Sequence, residues 1–238
     1  MDLEVIWKRA RADLVIPAPH GDSDVFLWEH SARVARTAQH IAQLPMIRSQ
    51  KPDEAAIIAA GLYLHAGWIA CIRERTVNRM EAPWGSLSEA DHDLGAVLME
   101  KSLVGLVPKE SLELAGRAIR GVRNRGTELI EAQVVAEADN LQEFGVVSLW
   151  SAIRRGAVEG KGVQAFLDTW RRRKEYQFWT ARLNDSFRFE PVRELARRRL
   201  EKFERLLQDL EDQHTSADVE ALISTRFVEP TAHTPSPR

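Results

Sequence analysis

The chain has 238 residues, 44% of them hydrophobic and 29% charged, which is ordinary for a globular protein with a full core. A formal net charge of −2 gives no global pull toward nucleic acid, so any anion site has to be local. The single cysteine, Cys71, excludes an intrachain disulfide and fits a reducing compartment. No N-terminal stretch reads as a secretory leader, so the cytoplasm is the expected location.

In chain order, a short helix is expected over Leu3–Leu14, followed by the breaker run Pro17-Ala18-Pro19-His20-Gly21-Asp22. Asp22, Ser23 and Asp24 are N-cap candidates for the next helix. That helix reaches Leu44, with Leu27, Val34, Ala38 and Ile41 on one face and Arg33, Arg36, His40 and Gln43 opposite. The pattern is amphipathic, and Pro45 closes it. Pro52, Asp53 and Glu54 then open a nearly all-apolar helix expected to run to about Arg75.

Ala55–Ile72 approaches the length of a membrane span. It is rich in weakly hydrophobic Ala and Gly, however, and carries His65, a costly residue in lipid. The buried centre of a helical domain is the better reading, with no membrane partner.

A loop through Met80, Pro83, Trp84 and Gly85 follows, and Ser88-Glu89-Ala90-Asp91 resembles a capping box that starts a helix to about Leu103. Further helices are expected from Pro108 to Gly126, from Thr127 to about Phe144, and from Ser148 to Arg155. Two more cover Lys161–Leu183 and Pro191–Gln213. The stretch from His214 ends among Pro230, Pro235 and Pro237, with too little apolar surface to order its end. The expected class is all-α, a helical bundle around a buried central helix. Its layout is a helical segment and linker (1–22), the main domain (23–213), and a largely disordered tail (214–238).

Ionisable side chains at positions predicted to be buried mark the candidate chemistry. His30 shares a face with Val34, Thr37 and Ile41; His65 lies within the apolar helix; Asp139 lies with Ala132, Val135 and Ala136. A buried carboxylate is costly unless paired or bound to metal. Two imidazoles and a carboxylate from three helices suit one divalent transition ion, with His92 as an auxiliary. Each His taken singly also fits a core imidazole bonded to a carbonyl or hydroxyl, so spacing alone suggests a site without establishing one.

The order of three segments adds a resemblance. Leu27-Trp28-Glu29-His30-Ser31-Ala32-Arg33-Val34-Ala35 resembles the opening helix of the HD-domain superfamily of metal-dependent phosphohydrolases. Ala59-Ala60-Gly61-Leu62-Tyr63-Leu64-His65-Ala66-Gly67-Trp68 is similar to the helix that carries the family's adjacent His-Asp pair. Glu137-Ala138-Asp139-Asn140-Leu141-Gln142-Glu143-Phe144-Gly145 resembles its last motif. The resemblance covers about Ser23 to Gln213.

It implies an HD-like helical fold, a site of His30, His65, Asp139 and auxiliary His92, and a divalent ion (Mn, Fe or Zn). It also implies hydrolysis of a nucleotide or other phosphate ester. The pair itself is degenerate. Aligned on Gly67, its positions are Leu64 and His65; aligned on His65, they are His65 and Ala66. Either way the Asp is missing, and a metal-free, inactive and vestigial site is the alternative expectation. Val122 and Arg123 stand where some relatives carry extra His residues, against a two-metal site.

The resemblance also places Arg120, Arg123 and Arg125 near the site mouth as phosphate-binding candidates. The runs Arg171–Lys174 and Arg197–Arg199 are expected to be solvated or paired with nearby Glu. The rival expectation is a non-catalytic module on the same fold that senses an anion or binds a partner protein. Nucleic acid is a minor reading, and a homo-oligomer is compatible with either.

Overall fold

Asp53 begins the helix around which the others pack. Its carboxylate accepts the Ala56 amide at 2.9 Å, satisfying one of the free amides of a first turn. It also accepts the Ser111 hydroxyl at 2.6 Å, while the Asp53 amide donates to Oε1 of Glu131 at 2.9 Å. One residue therefore ties the start of the central helix to two later helices.

The computed structural model of the chain describes residues 3–18, 21–74, 77–80 and 87–226. These form α1 (Glu4–Leu14), α2 (Phe26–Ala42), α3 (Pro45–Arg48), α4 (Glu54–Tyr63), α5 (Gly67–Arg73) and α6 (Glu89–Leu103). They continue as α7 (Lys109–Gly121), α8 (Ile130–Asn140), α9 (Ser148–Glu159), α10 (Val163–Glu175) and α11 (Phe178–Ser186). The last two are α12 (Glu190–Thr215) and α13 (Ala217–Arg226). A two-residue antiparallel pair, β1 (Ile16–Pro17) with β2 (Ser23–Asp24), sets Ile16 opposite Asp24. The fold is all-α.

Every residue of α4 from Ala55 to Tyr63 is buried, enclosed by α2, α6, α7 and α8. The segment Glu54–Arg73 is long and apolar enough to cross a membrane by length and composition, yet 78% of its most apolar 18 residues is buried inside the fold. Gly61 lets α2 approach closely, since a Cβ there would lie 2.8 Å from Cα of Ala35. α1 belongs to the same core: Ile6, Ala10 and Leu14 are fully buried.

The central helix does not run unbroken to Arg75 as the apolar pattern suggested. It turns over Leu64, His65 and Ala66, with Ala66 donating to the Tyr63 carbonyl and Trp68 to that of His65. α6 crosses this turn: a Cβ on Gly67 would sit 2.1 Å from the Asp91 carbonyl oxygen, and one on Gly95 2.9 Å from that of Tyr63. Tertiary packing of α6, which periodicity does not report, breaks the helix where His65 sits.

Other differences have similar causes. The α2 helix starts at Phe26 without a cap from its own N-cap residue, Val25; instead Asp24 accepts the Phe26 amide at 3.1 Å. Pro45 opens the short α3. The expected Lys161–Leu183 helix is split at Gln177, which adopts a left-handed conformation (φ +52°). This lets Trp179 stack on Trp170 and meet Phe144. The Ser88–Asp91 capping box forms as expected. Helix persists through His214 and Thr215 and resumes in α13, within the stretch assigned to a tail. Pro19, His20, the Pro83-Trp84-Gly85 loop and the proline-rich end lie outside the described residues.

Candidate metal centre

Three elements converge on one point. α2 supplies His30 from its second turn, the α4–α5 turn supplies His65, and the last turn of α8 supplies Asp139. Nε2 of His65 lies 2.8 Å from Oδ1 of Asp139, and Nε2 of His30 lies 3.8 Å from the same oxygen. The two imidazoles meet edge to face, centroids 4.6 Å apart. One donor atom from each residue falls within 4.8 Å of the others. The His side chains are 18% exposed and that of Asp139 is 32% exposed, so the cluster is recessed yet open to solvent.

The electrostatics favour an ionised Asp139 and a neutral His30. Burial alone would raise the Asp139 carboxyl, but the charge and hydrogen bond of His65, with the His30 imidazole close by, outweigh it and hold it well below the usual range. Asp139 therefore stays ionised, and His65 donates in their hydrogen bond. Burial pushes the His30 imidazole down, opposed by the nearby Asp139 carboxylate and helped by the neighbouring charge of His65. A neutral His30 imidazole and an ionised Asp139 carboxylate are forms that a transition ion requires.

His92 sits in the first turn of α6 and is buried at 5% exposure. Burial pushes its pKa down to about 4, with further lowering by the charges of His65 and Arg123. It stands beside the cluster but is not one of the three close donors. Leu64 is buried in the apolar core at 1% exposure and offers no donor.

The three arginines proposed from the α7 end are not equivalent. Nε of Arg120 donates to Asp93 at 2.6 Å and its Nη1 to Glu100 at 3.4 Å, so its charge is already matched. Arg123 and Arg125 are exposed, and of the two it is Arg123 whose charge reaches His92. The Arg125 carbonyl accepts from Arg188 at 2.7 Å.

Sequence reading missed four other cations. Arg33, Arg36, Arg199 and Lys202 line one cleft beside Thr37 and Gln142. Arg33 and Arg36 fell on a polar helix face and Arg199 in a run of arginines, patterns that normally mean solvation. The available signal was the position of Arg33, one turn after His30. Elsewhere the expectation for the runs holds: Arg171 pairs with Asp168 and Glu211, Lys174 with Glu204, and Arg197 with Glu194.

No protein-family model matches the sequence, and no curated protein does. Among solved structures, the chain is similar to Bacillus subtilis YpgQ in complex with ADP. The TM-score is 0.53 at 19% identity, covering 89% of this chain and 97% of that one. It is also similar to the Lin1889 protein of Listeria innocua, with a TM-score of 0.52 at 16% identity, covering 90% and 98%. At these identities the likeness shows a shared fold.

Proposed function

We propose that the chain is a divergent HD-superfamily protein whose centre binds one divalent transition ion and acts on the phosphate of a nucleotide or related ester. The observation that carries this reading is the convergence of His30, His65 and Asp139 within 4.8 Å. The order of the motifs supports it, as does the fold likeness to YpgQ, a protein solved with ADP bound.

His30, His65 and Asp139 would hold the ion on one side and leave its other positions open. An ion held there would polarise a phosphoryl oxygen and acidify water. Asp139 fixes the His65 ring through their 2.8 Å bond, and the low pKa of His92 keeps a neutral imidazole beside the cluster. Arg123 adds positive charge on the same side, where charge on a phosphoryl group would be stabilised.

The missing Asp sets the rival reading. Gly67 has no room for a side chain against the Asp91 carbonyl, which favours the alignment that keeps Gly67 in place. In that alignment Leu64 and His65 occupy the positions of the family's pair. Among the described residues no second carboxylate joins the cluster, which favours a non-catalytic sensor of the same ligands. Incubating the protein with Mn, Fe or Zn and a panel of nucleotides separates the two. Metal-dependent phosphate release that is lost in Asp139→Ala supports the enzyme. Nucleotide binding without turnover supports the sensor, and neither result sinks both.

A further inference from the structure

The cleft beside the centre has a volume of about 310 Å³ and runs between α2, the 144–147 turn and α12. Four cations line it, Arg33, Arg36, Arg199 and Lys202, and no carboxylate does. Among the described residues none of the four has a salt bridge. Nε of Arg33 is buried without a hydrogen-bond partner; only Glu29, one turn back on α2, tempers its charge. The Arg199 guanidinium finds one carbonyl, that of Leu141, at 3.3 Å. Burial pulls the pKa of both arginines down, opposed by Glu29 at Arg33 and by no charge at Arg199, the mark of partly desolvated cations.

The cleft is also built. Gly145, at φ +99°, brings its backbone against the Arg199 stem, where a Cβ would sit 3.2 Å from that of Arg199. Arg36 lies over the Trp7 ring at 5.2 Å. Gln142 bridges the Ala138 carbonyl at 3.0 Å and the Thr37 hydroxyl at 3.4 Å, presenting polar groups on the floor. Thr37 lies seven residues beyond His30 on one helix face, about 10 Å along the axis.

We infer that this cleft is an anion subsite that holds phosphate groups of a small polyphosphorylated ligand. Guanidinium forks match phosphate oxygens in pairs, and such a ligand would supply the counter-charge the cleft lacks. The link to substrate deepens the phosphohydrolase reading and rests on it; the anion site itself requires no metal.

The probe is inorganic pyrophosphate, titrated by calorimetry at low ionic strength into protein freed of metal on a chelating resin. Wild type should bind about one equivalent. Arg36→Gln with Lys202→Gln, both exposed positions, should weaken Kd at least tenfold, by roughly one lost charge-assisted contact. Arg199→Met should weaken it likewise, while Asp139→Ala should leave it within about twofold. Absence of binding in wild type, indifference to the cation variants, or loss in Asp139→Ala would overturn the subsite. Pyrophosphate binding in a chain that takes up no metal sinks the centre alone; metal uptake without pyrophosphate binding sinks the cleft alone.

Discussion

Nε2 of His65 lies 2.8 Å from Oδ1 of Asp139, a residue 74 positions later in the chain. That contact exists because the central helix turns at Leu64–Ala66 instead of continuing, and the turn exists because α6 lies against Gly67. A packing requirement thus sets the site geometry.

Gly67→Ala tests the link. A methyl group 2.1 Å from a carbonyl oxygen forces α6 away, and overpacking of this kind costs about 1–3 kcal/mol or more. Urea denaturation should show a lower midpoint at unchanged slope. Metal affinity should fall in the same variant because the His65 turn moves. Wild-type affinity in a folded Gly67→Ala would separate the turn from the site.

The pair Arg154–Asp24 anchors α9 to the start of α2. Nη2 of Arg154 donates to Oδ2 of Asp24 at 2.5 Å and to the Arg79 carbonyl at 3.1 Å, with the side chains 14% and 7% exposed. Asp24→Ala strands a nearly buried cation and should cost about 3–5 kcal/mol. Adding Arg154→Met should recover much of that loss. A double variant as unstable as Asp24→Ala alone would show that the cost lies in the lost helix cap.

Glu137 sets a pH dependence. It is fully buried, and although the Arg188 amide donates to Oε1 at 2.6 Å, burial pushes its pKa up from 4.5 to about 7. A raised folded-state pKa favours the protonated form. Its stability contribution is therefore complete below about pH 4.5 and lost as pH rises toward 7, roughly 3 kcal/mol in all. Glu137→Gln should remove this slope and be the more stable protein at pH 8. An unchanged slope in that variant would assign the titration elsewhere.

Restoring the family pair offers a test of ancestry. Leu64→His with His65→Asp should raise metal affinity and metal-dependent phosphate release over wild type. Without metal it should be less stable, by about 2 kcal/mol or more, because a polar ring replaces a core leucine. Instability with no gain in metal binding would argue against the alignment on Gly67.

Much of the fold was legible because its causes are local. The amphipathic face of α2, the Ser88–Asp91 capping box and the wholly apolar α4 follow from residue spacing and chemistry. His30, His65 and Asp139 were marked by the cost of placing ionisable groups on apolar faces, and the structure brings those three together. What was not legible depends on tertiary contact: the turn at His65, the split at Gln177 that accompanies the Trp170–Trp179 contact, and the capture of Arg120 by Asp93. The unpaired state of Arg33 and Arg199 also shows only once the surroundings are folded, because a run of arginines reads the same whether or not carboxylates meet it.

Metal uptake tests the central claim most directly. The protein should be expressed without chelator, analysed for bound Mn, Fe and Zn, and followed by thermal unfolding with and without added ion. Near one ion per chain is expected. At a hundredfold excess over Kd, binding adds about 2.7 kcal/mol, a rise in Tm of roughly 5–10 °C for a domain of this size, and Asp139→Ala should abolish both effects. A metal-free chain whose Tm is the same with and without each ion would contradict the account.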